Sequence, residues 1–397
     1  MTGWFVPGRL EVLGKHTDYA GGNSLLAAVD HGVRVSLTEA GDCISATTTH
    51  AEGQVQVRAG QSPDLPPGHW GRYLHTVVDR LTSNFGPLHP ARLDIDSDLP
   101  PANGMSSSSA VVVAVALTLI DHNQLREHDA WTTNITTDTD LAEYLACIEN
   151  GMSFRGLVGR RGVGTFGGSE DHTAMLCCRA GEVTRFRFMP ITRHESVAVP
   201  EELTFVVATS GVPAQKTGAA KERYNRAAEQ AREVVRLWNL SSHRRDASIG
   251  AALSDAPDAV AGLRAAVAHS RSLTARLNAF LNESEELIAQ AVAALAAGDL
   301  AAFGSITDDS QRDAGCLLGN QIPETVRMQA LARQVGAHAA SAFGAGFGGS
   351  VWALVDSATA EDFAAQWLAA YQREFDHRGA GALIVRPGGP ARPTLQS

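Results

Sequence analysis

Glycine constrains this chain more than any other residue, because it is clustered. The sequence has 38 glycines in 397 residues, concentrated around positions 8–22, 156–168 and 344–349. Clustered glycine marks backbone that turns tightly or lets a ligand approach the main chain itself. No internal repeat or low-complexity segment separates the clusters. At about 150 residues per domain, the length predicts two or three lobes.

Around the glycines, apolar spacing predicts the elements. Period-2 alternation marks strands at 33–38 and 91–97. Four serines, Ser106 to Ser109, precede the apolar run from Ala110 to Ile120. Its valines suit a strand or a helix, but a serine turn before an apolar run is an N-cap signal, so a buried helix is expected. Residues 203–209 read as a buried strand, and 217–300 as alanine- and charge-rich helices broken by a polar loop near 241–248. After a helical stretch running up to Gly344, a strand is expected at 351–355, a helix at 360–375 and a strand at 382–385. The fold class is therefore α+β in two lobes: strand-rich over 1–200 and helix-rich over 201–386. The Pro- and Gly-rich tail, 387–397, is expected to fray.

Composition excludes several functions. The formal charge of −10 argues against nucleic acid and anionic membranes as partners. Five cysteines, two of them adjacent and none in a CxxC pair, indicate neither a disulfide framework nor a zinc site. The first residues, Met1-Thr2-Gly3-Trp4-Phe5, do not read as a signal peptide, and the longest apolar run is too short to span a bilayer. A soluble, cytoplasmic protein is expected.

Several familiar motifs fail on context. Residues 344–349 and 162–167 both fit GxGxxG, but neither has the strand before and helix after that dinucleotide binding requires. Residues 8–16 approximate a phosphate loop, yet the spacing is one residue too long and His16 stands where Ser or Thr would hold magnesium. There is no GxSxG elbow, and the 14 histidines form no HExxH.

Three features remain. Residues 7–22, PGRLEVLGKHTDYAGG, crowd Arg, Lys, His and Asp into one strand and turn, a density that suits a polyol better than solvent. Residues 100–110, PPANGMSSSSA, place backbone N–H groups and hydroxyls at a helix N-terminus, an anion cradle. Residues 343–350, FGAGFGGS, are too poor in side chains for anything but a backbone approach or a packed turn. In this order the three resemble the motifs of the GHMP small-molecule kinases, and the first is similar to that of galactokinases. Trp70 and Tyr73 stand where that family has a W-x-x-Y pair; Lys216 to Tyr224 resembles a sugar-contact segment.

The resemblance implies a two-lobed GHMP kinase fold and an ATP- and Mg2+-dependent sugar 1-kinase acting on a small-molecule sugar. Arg9 and Asp171 would be catalytic, with Asp171 orienting or accepting the C1 hydroxyl proton. Lys15, His16, Asp18 and Tyr224 would bind sugar. Gly104, Met105, Ser106, Ser107, Ser108 and Ser109 would wrap the ATP phosphates, with Ser108 and Glu149 contacting magnesium. Gly344, Gly346, Gly348 and Gly349 would form the third motif.

The chain departs from the galactokinase pattern at Glu11, for asparagine, and Lys15, for glutamate. Glu170-Asp171-His172 likewise stands in place of Met-Asp-Gln. Lysine near the sugar's distal end, together with Arg155, Arg160 and Arg161 in the glycine loop, predicts a substrate carrying a negative group far from C1, such as a hexuronate or a heptose or octose phosphate. Ordinary galactose is the alternative, and a silent sugar- and ATP-binding sensor a third.

Overall fold

The computed structural model describes residues 3–394, apart from 59, 62–63, 67, 100–103, 214–217, 256–257 and 377–378. Pro100 to Asn103 of the second motif, and Lys216, therefore lie outside the described residues.

An eight-stranded sheet builds the first lobe. Its strands are β1 (Gly3–Leu13), β2 (Asn23–Glu39), β3 (Ile44–Thr48), β4 (Ala51–Val57), β5 (Ala91–Ser97), β6 (Glu182–Arg187) and β7 (Thr192–Ala198), completed by a short strand described below. The 17-residue β2 organises it: one edge pairs β1 along its length, while its other edge serves β6 with residues 23–26 and β5 with residues 33–39. The Ser107–His122 helix lies across β1 and β2 and packs against the Gly71–Phe85 and Asp138–Asn150 helices. It is apolar on nearly every side because it is buried on nearly every side, which decides the strand-or-helix ambiguity of its valines.

The second lobe holds a four-stranded antiparallel sheet of β8 (Leu203–Ser210), β9 (Ala339–Ala342), β10 (Ser350–Asp356) and β11 (Ala380–Val385), ordered β11-β8-β10-β9. Helices from 218 to 335 and the Ala360–Gln372 helix, which packs on this sheet, form most of the remainder, including a π-helical turn, Leu281–Leu287. One apolar core is continuous between lobes, from Val6 and Leu10 to Phe205, Trp352 and Val385.

Three expectations need correction. The segment just before Gly344 is a strand, β9, not a helix. Its Ala-Ala-Ser-Ala sequence favours helix intrinsically, but pairing with β10 overrides that propensity. The third glycine cluster is thus a hairpin loop, and the dinucleotide reading fails because a strand follows it. The serine run does not cap its helix: Ser106 takes the N-cap in a left-handed conformation, with no side-chain cap. The tail is not frayed over its described residues, 387–394. Residues 392–393 form β12 (Arg392–Pro393) beside β1, Gly388 donates to the Ala28 carbonyl, and Ala391 donates to that of Met175.

Candidate active site

The site is built on the inward face of β1. Arg9 and Glu11, two residues apart, share that face and are buried. The Arg9 Nε donates to Asp171 Oδ1 at 2.7 Å, and its Nη1 to the Gly104 carbonyl at 2.6 Å. The Arg9 backbone N–H donates to the Met105 carbonyl. One residue therefore ties the first motif to the second and to the candidate catalytic carboxylate. Burial opposes the guanidinium charge, but the carboxylates of Asp171, Glu170 and Glu11 outweigh it and hold Arg9 firmly protonated.

After β1 the chain turns through Gly14, whose φ of 124° is one that side chains rarely adopt. The turn presents His16 and Asp18 to the cleft. His16 Nδ1 lies 2.6 Å from the Tyr19 hydroxyl and Nε2 lies 3.1 Å from the Ala345 carbonyl. An Nε2-protonated ring satisfies both contacts. Burial, then the nearby Arg276 charge, lowers the His16 pKa to about 4, so the ring is neutral. Burial raises the Asp18 pKa, opposed by the backbone N–H groups of Tyr19 and Glu170. Tyr224, from the Gly218–Ser242 helix, closes this side, its ring 5.1 Å from that of His16.

Lys15 does not join them. Its Nζ donates to Ser310 Oγ at 2.7 Å and lies 3.8 Å from Glu283 Oε1, on the far side of the turn. Glu283 Oε1 also accepts from the Gly14 backbone N–H, and Ser310 Oγ donates to Glu283 Oε2. The charge that was expected to meet the sugar's distal end is neutralised inside the protein.

The serine turn divides by depth. Met105 and Ser106 are buried, while Ser107 and Ser108 are half-buried at the helix N-terminus, whose first-turn amides no side chain caps. Ser109, expected at the phosphates, is wholly buried instead. Its hydroxyl lies 2.8 Å from Glu149 Oε2 and 3.2 Å from Asp171 Oδ2, so it braces the carboxylates from behind.

The third motif closes over the second. Gly344, Gly346, Gly348 and Gly349 all have positive φ. A Cβ on Gly346 would stand 2.4 Å from the Asn320 carbonyl, and one on Gly344 would stand 3.3 Å from that of Gly104. These glycines let one loop pack directly onto another backbone.

Glu170, Asp171 and His172 begin the Glu170–Cys177 helix. His172 Nε2 lies 3.4 Å from Glu149 Oε2. Arg155, Arg160 and the exposed Arg161 of the glycine loop do not line this cleft. Arg155 pairs with Asp140 and donates to the Asn134 carbonyl, and Arg160 pairs with Asp79. Helix-borne acids nearby claim both guanidinium groups.

Arg9, His16, Asp18, Glu149, Asp171, Tyr224 and Gly344 thus line one cleft. Sequence reasoning saw Glu11 and Glu170 only as departures from a pattern, yet both line it too. It missed Glu283, whose signal, a lone acid in an acid-rich helix, is indistinguishable from a solvated one. Among the described residues no cluster of three or more His, Cys, Asp or Glu suits a metal, and no helix is long and apolar enough to cross a membrane.

Three family models match along the chain: the galactokinase galactose-binding signature over 2–39, the GHMP kinases N-terminal domain over 72–156 and the GHMP kinases C-terminal domain over 291–373. The chain belongs to the GHMP kinase family. Among curated relatives of this GHMP kinase, the galactokinase of Chloroflexus aggregans is 28% identical over 376 residues, covering 92% of this chain and 86% of the relative. That of Roseiflexus sp. is 26% identical, with 95% and 88% covered. The solved Lactococcus lactis galactokinase, complexed with galactose, superposes with a TM-score of 0.81 at 19% identity, covering 98% and 94%. The chain is a galactokinase-like sugar kinase of the GHMP family.

Proposed function

We propose that this GHMP kinase transfers the γ-phosphoryl group of ATP to the anomeric C1 hydroxyl of a neutral, galactose-like sugar. The observation that carries the reading is Asp171 pinned from two sides, by Arg9 Nε at 2.7 Å and Ser109 Oγ at 3.2 Å, within reach of the second and third glycine motifs. Phosphoryl transfer is chiefly positioning and charge neutralisation. Asp171 orients the C1 hydroxyl and takes up its proton, and the Arg9 guanidinium offsets charge developing on the phosphoryl group. The uncapped amides at 107–109 suit the anionic phosphates. His16, Asp18 and Tyr224 supply donors and acceptors for sugar hydroxyls.

Mg2+ fits the donor set. The Glu149 carboxylate and the half-exposed Ser108 hydroxyl are hard oxygen ligands, and Mg2+ commonly takes one or two such groups beside substrate phosphates. Bound there, it would neutralise phosphate charge; the chain's own residues do the positioning.

The balance of the cleft supports a neutral substrate. Glu11, Asp18, Glu149, Glu170 and Asp171 line it, against one arginine. Lys15, Arg155 and Arg160 are all engaged elsewhere. A carboxylate or phosphate on the sugar would meet repulsion. The intact Arg9–Asp171 pair favours turnover over a sensor role.

The test is MgATP turnover on galactose, galacturonate, glucuronate, arabinose and heptose and octose phosphates, with Asp171→Asn as control. Turnover on neutral sugars alone, lost in the control, supports the reading. Turnover confined to the charged sugars overturns the neutral assignment, and ATP binding without turnover on any sugar overturns the kinase reading.

A further inference from the structure

Glu11 and Glu170 stand apart from the other cleft acids because they face each other. The Glu11 carboxyl is within hydrogen-bonding reach of that of Glu170, and both residues are buried. Glu11 Oε1 has no hydrogen-bond partner at all, although it is shut off from solvent. An ionised carboxylate oxygen left without a donor in the interior is strongly disfavoured, whereas the carbonyl oxygen of a neutral acid is far less so. Two adjacent carboxyls that cannot both ionise keep one proton between them.

Glu170 places this arrangement beside the chemistry. Its Oε2 accepts from Ser24 Oγ at 2.9 Å, and its Oε1 lies 3.5 Å from Arg9 Nε, the nitrogen that donates to Asp171. Glu170 and Asp171 therefore compete for one N–H. Both members of the pair are also positions where the chain leaves the galactokinase pattern, with Glu11 for asparagine and Glu170 for methionine.

Resting on the kinase reading above, we propose that Glu11 and Glu170 are a positioning pair that holds one proton between them, and that this proton keeps Arg9 committed to Asp171 and available to the ATP phosphates. With the proton in place, Glu170 shares its charge with Glu11 and competes weakly for Arg9. Without it, a second full negative charge enters the wall of the cleft, draws Arg9 away from Asp171 and repels the γ-phosphate.

The charges facing the pair set where the proton leaves. On β1 and its turn are Arg9, Lys15 and Asp18, on the Glu170–Cys177 helix Asp171, and on the π-helical turn Glu283. His16, His172, Glu149 and Tyr224 line the same cleft. Burial raises Glu11 to about 7, opposed by Arg9 and Lys15, and burial raises Glu170 as well, reinforced by Glu11. The pair accordingly keeps its last proton well above the usual carboxylate range.

Two measurements test the pair. The first is kcat/KM for MgATP against pH, using the sugar found active. The wild type is expected to show a one-proton alkaline limb lying well above the usual carboxylate range, falling roughly tenfold per pH unit beyond its midpoint. Glu11→Gln and Glu170→Gln are each expected to lose that limb, whatever their plateau. A merely structural role would lower the plateau and leave the limb in place. The second needs no substrate: difference infrared spectra on the alkaline side of neutrality should show a protonated carboxyl stretch that titrates in the wild type and is shifted to lower pH in both variants. An unchanged limb in Glu11→Gln, or no titrating carboxyl band in the wild type, overturns the proposal. If no sugar is phosphorylated, the kinase reading fails and the infrared titration still decides the pair.

Discussion

Lys15 Nζ and Glu283 lie 3.8 Å apart, both buried, on the face of the His16–Asp18 turn that looks away from the cleft. The lysine that departs from the galactokinase pattern is therefore matched by an acid 268 residues later, which also accepts from the Lys15 backbone N–H. Between them they clamp the turn carrying His16 and Asp18 onto the helical lobe.

Lys15→Met should accordingly damage stability rather than specificity. Leaving Glu283 buried without its partner should cost about 3–5 kcal/mol in denaturant unfolding. The kcat/KM ratio for galactose over galacturonate should move less than about threefold. Exchanging the charges, Lys15→Glu with Glu283→Lys, should recover much of the loss. A selective change in turnover of the anionic sugar would return Lys15 to the substrate.

Arg9→Lys preserves a charge but cannot hold Asp171 and the Gly104 carbonyl at once. Turnover should fall by roughly three orders of magnitude in steady-state assays. Asp171→Asn should fall comparably, and the double variant little further, because the two act as one unit.

Gly168 is placed for steric reasons. A Cβ there would stand 2.4 Å from Asp18 Oδ2, displacing an acid that lines the cleft. Gly168→Ala should raise the sugar KM by about tenfold while leaving the ATP KM nearly unchanged. Equal rises in both would show that the whole cleft had shifted.

Glu11 and His16 give stability opposite pH dependences. The folded protein raises Glu11 from 4.5 to about 7, so it binds the proton more tightly than the unfolded chain, and stability declines as pH rises through that window. Glu11→Gln should therefore melt above the wild type at alkaline pH, with the advantage vanishing below 4.5. His16 falls from 6.5 to about 4, so its burial costs stability as pH drops through that window. His16→Asn should lose less stability than the wild type on acidification; parallel thermal melts across pH read both effects.

Much of this was legible in the residues. Arg9, His16 and Asp18 announce themselves because hydrogen-bonding side chains at glycine-bounded turns have few other uses, whereas Asp171 stands out only through the family resemblance. The buried helix after the serines could be read from a cap signal, although Ser106 turned out not to cap it. The failures have one physical source: partners distant in sequence. Lys15 looked substrate-facing because Glu283 could not be foreseen, and Arg155 and Arg160 looked free because Asp140 and Asp79 lie on other helices. β9 was hidden by local alanine propensity, which pairing with β10 overcame.

The pairing of Trp4 with Pro393 and of Phe5 with Arg392 has a consequence for biosynthesis. The strand that carries Arg9 is synthesised well before residues 392–393, which cover its outer edge at Trp4 and Phe5. Until then the nascent chain carries an open sheet edge, the feature that invites wrong pairing and chaperone attention. A product ending short of 392 would expose that edge permanently, so the cell would meet an incomplete copy as an unsealed sheet before it could act as a defective enzyme.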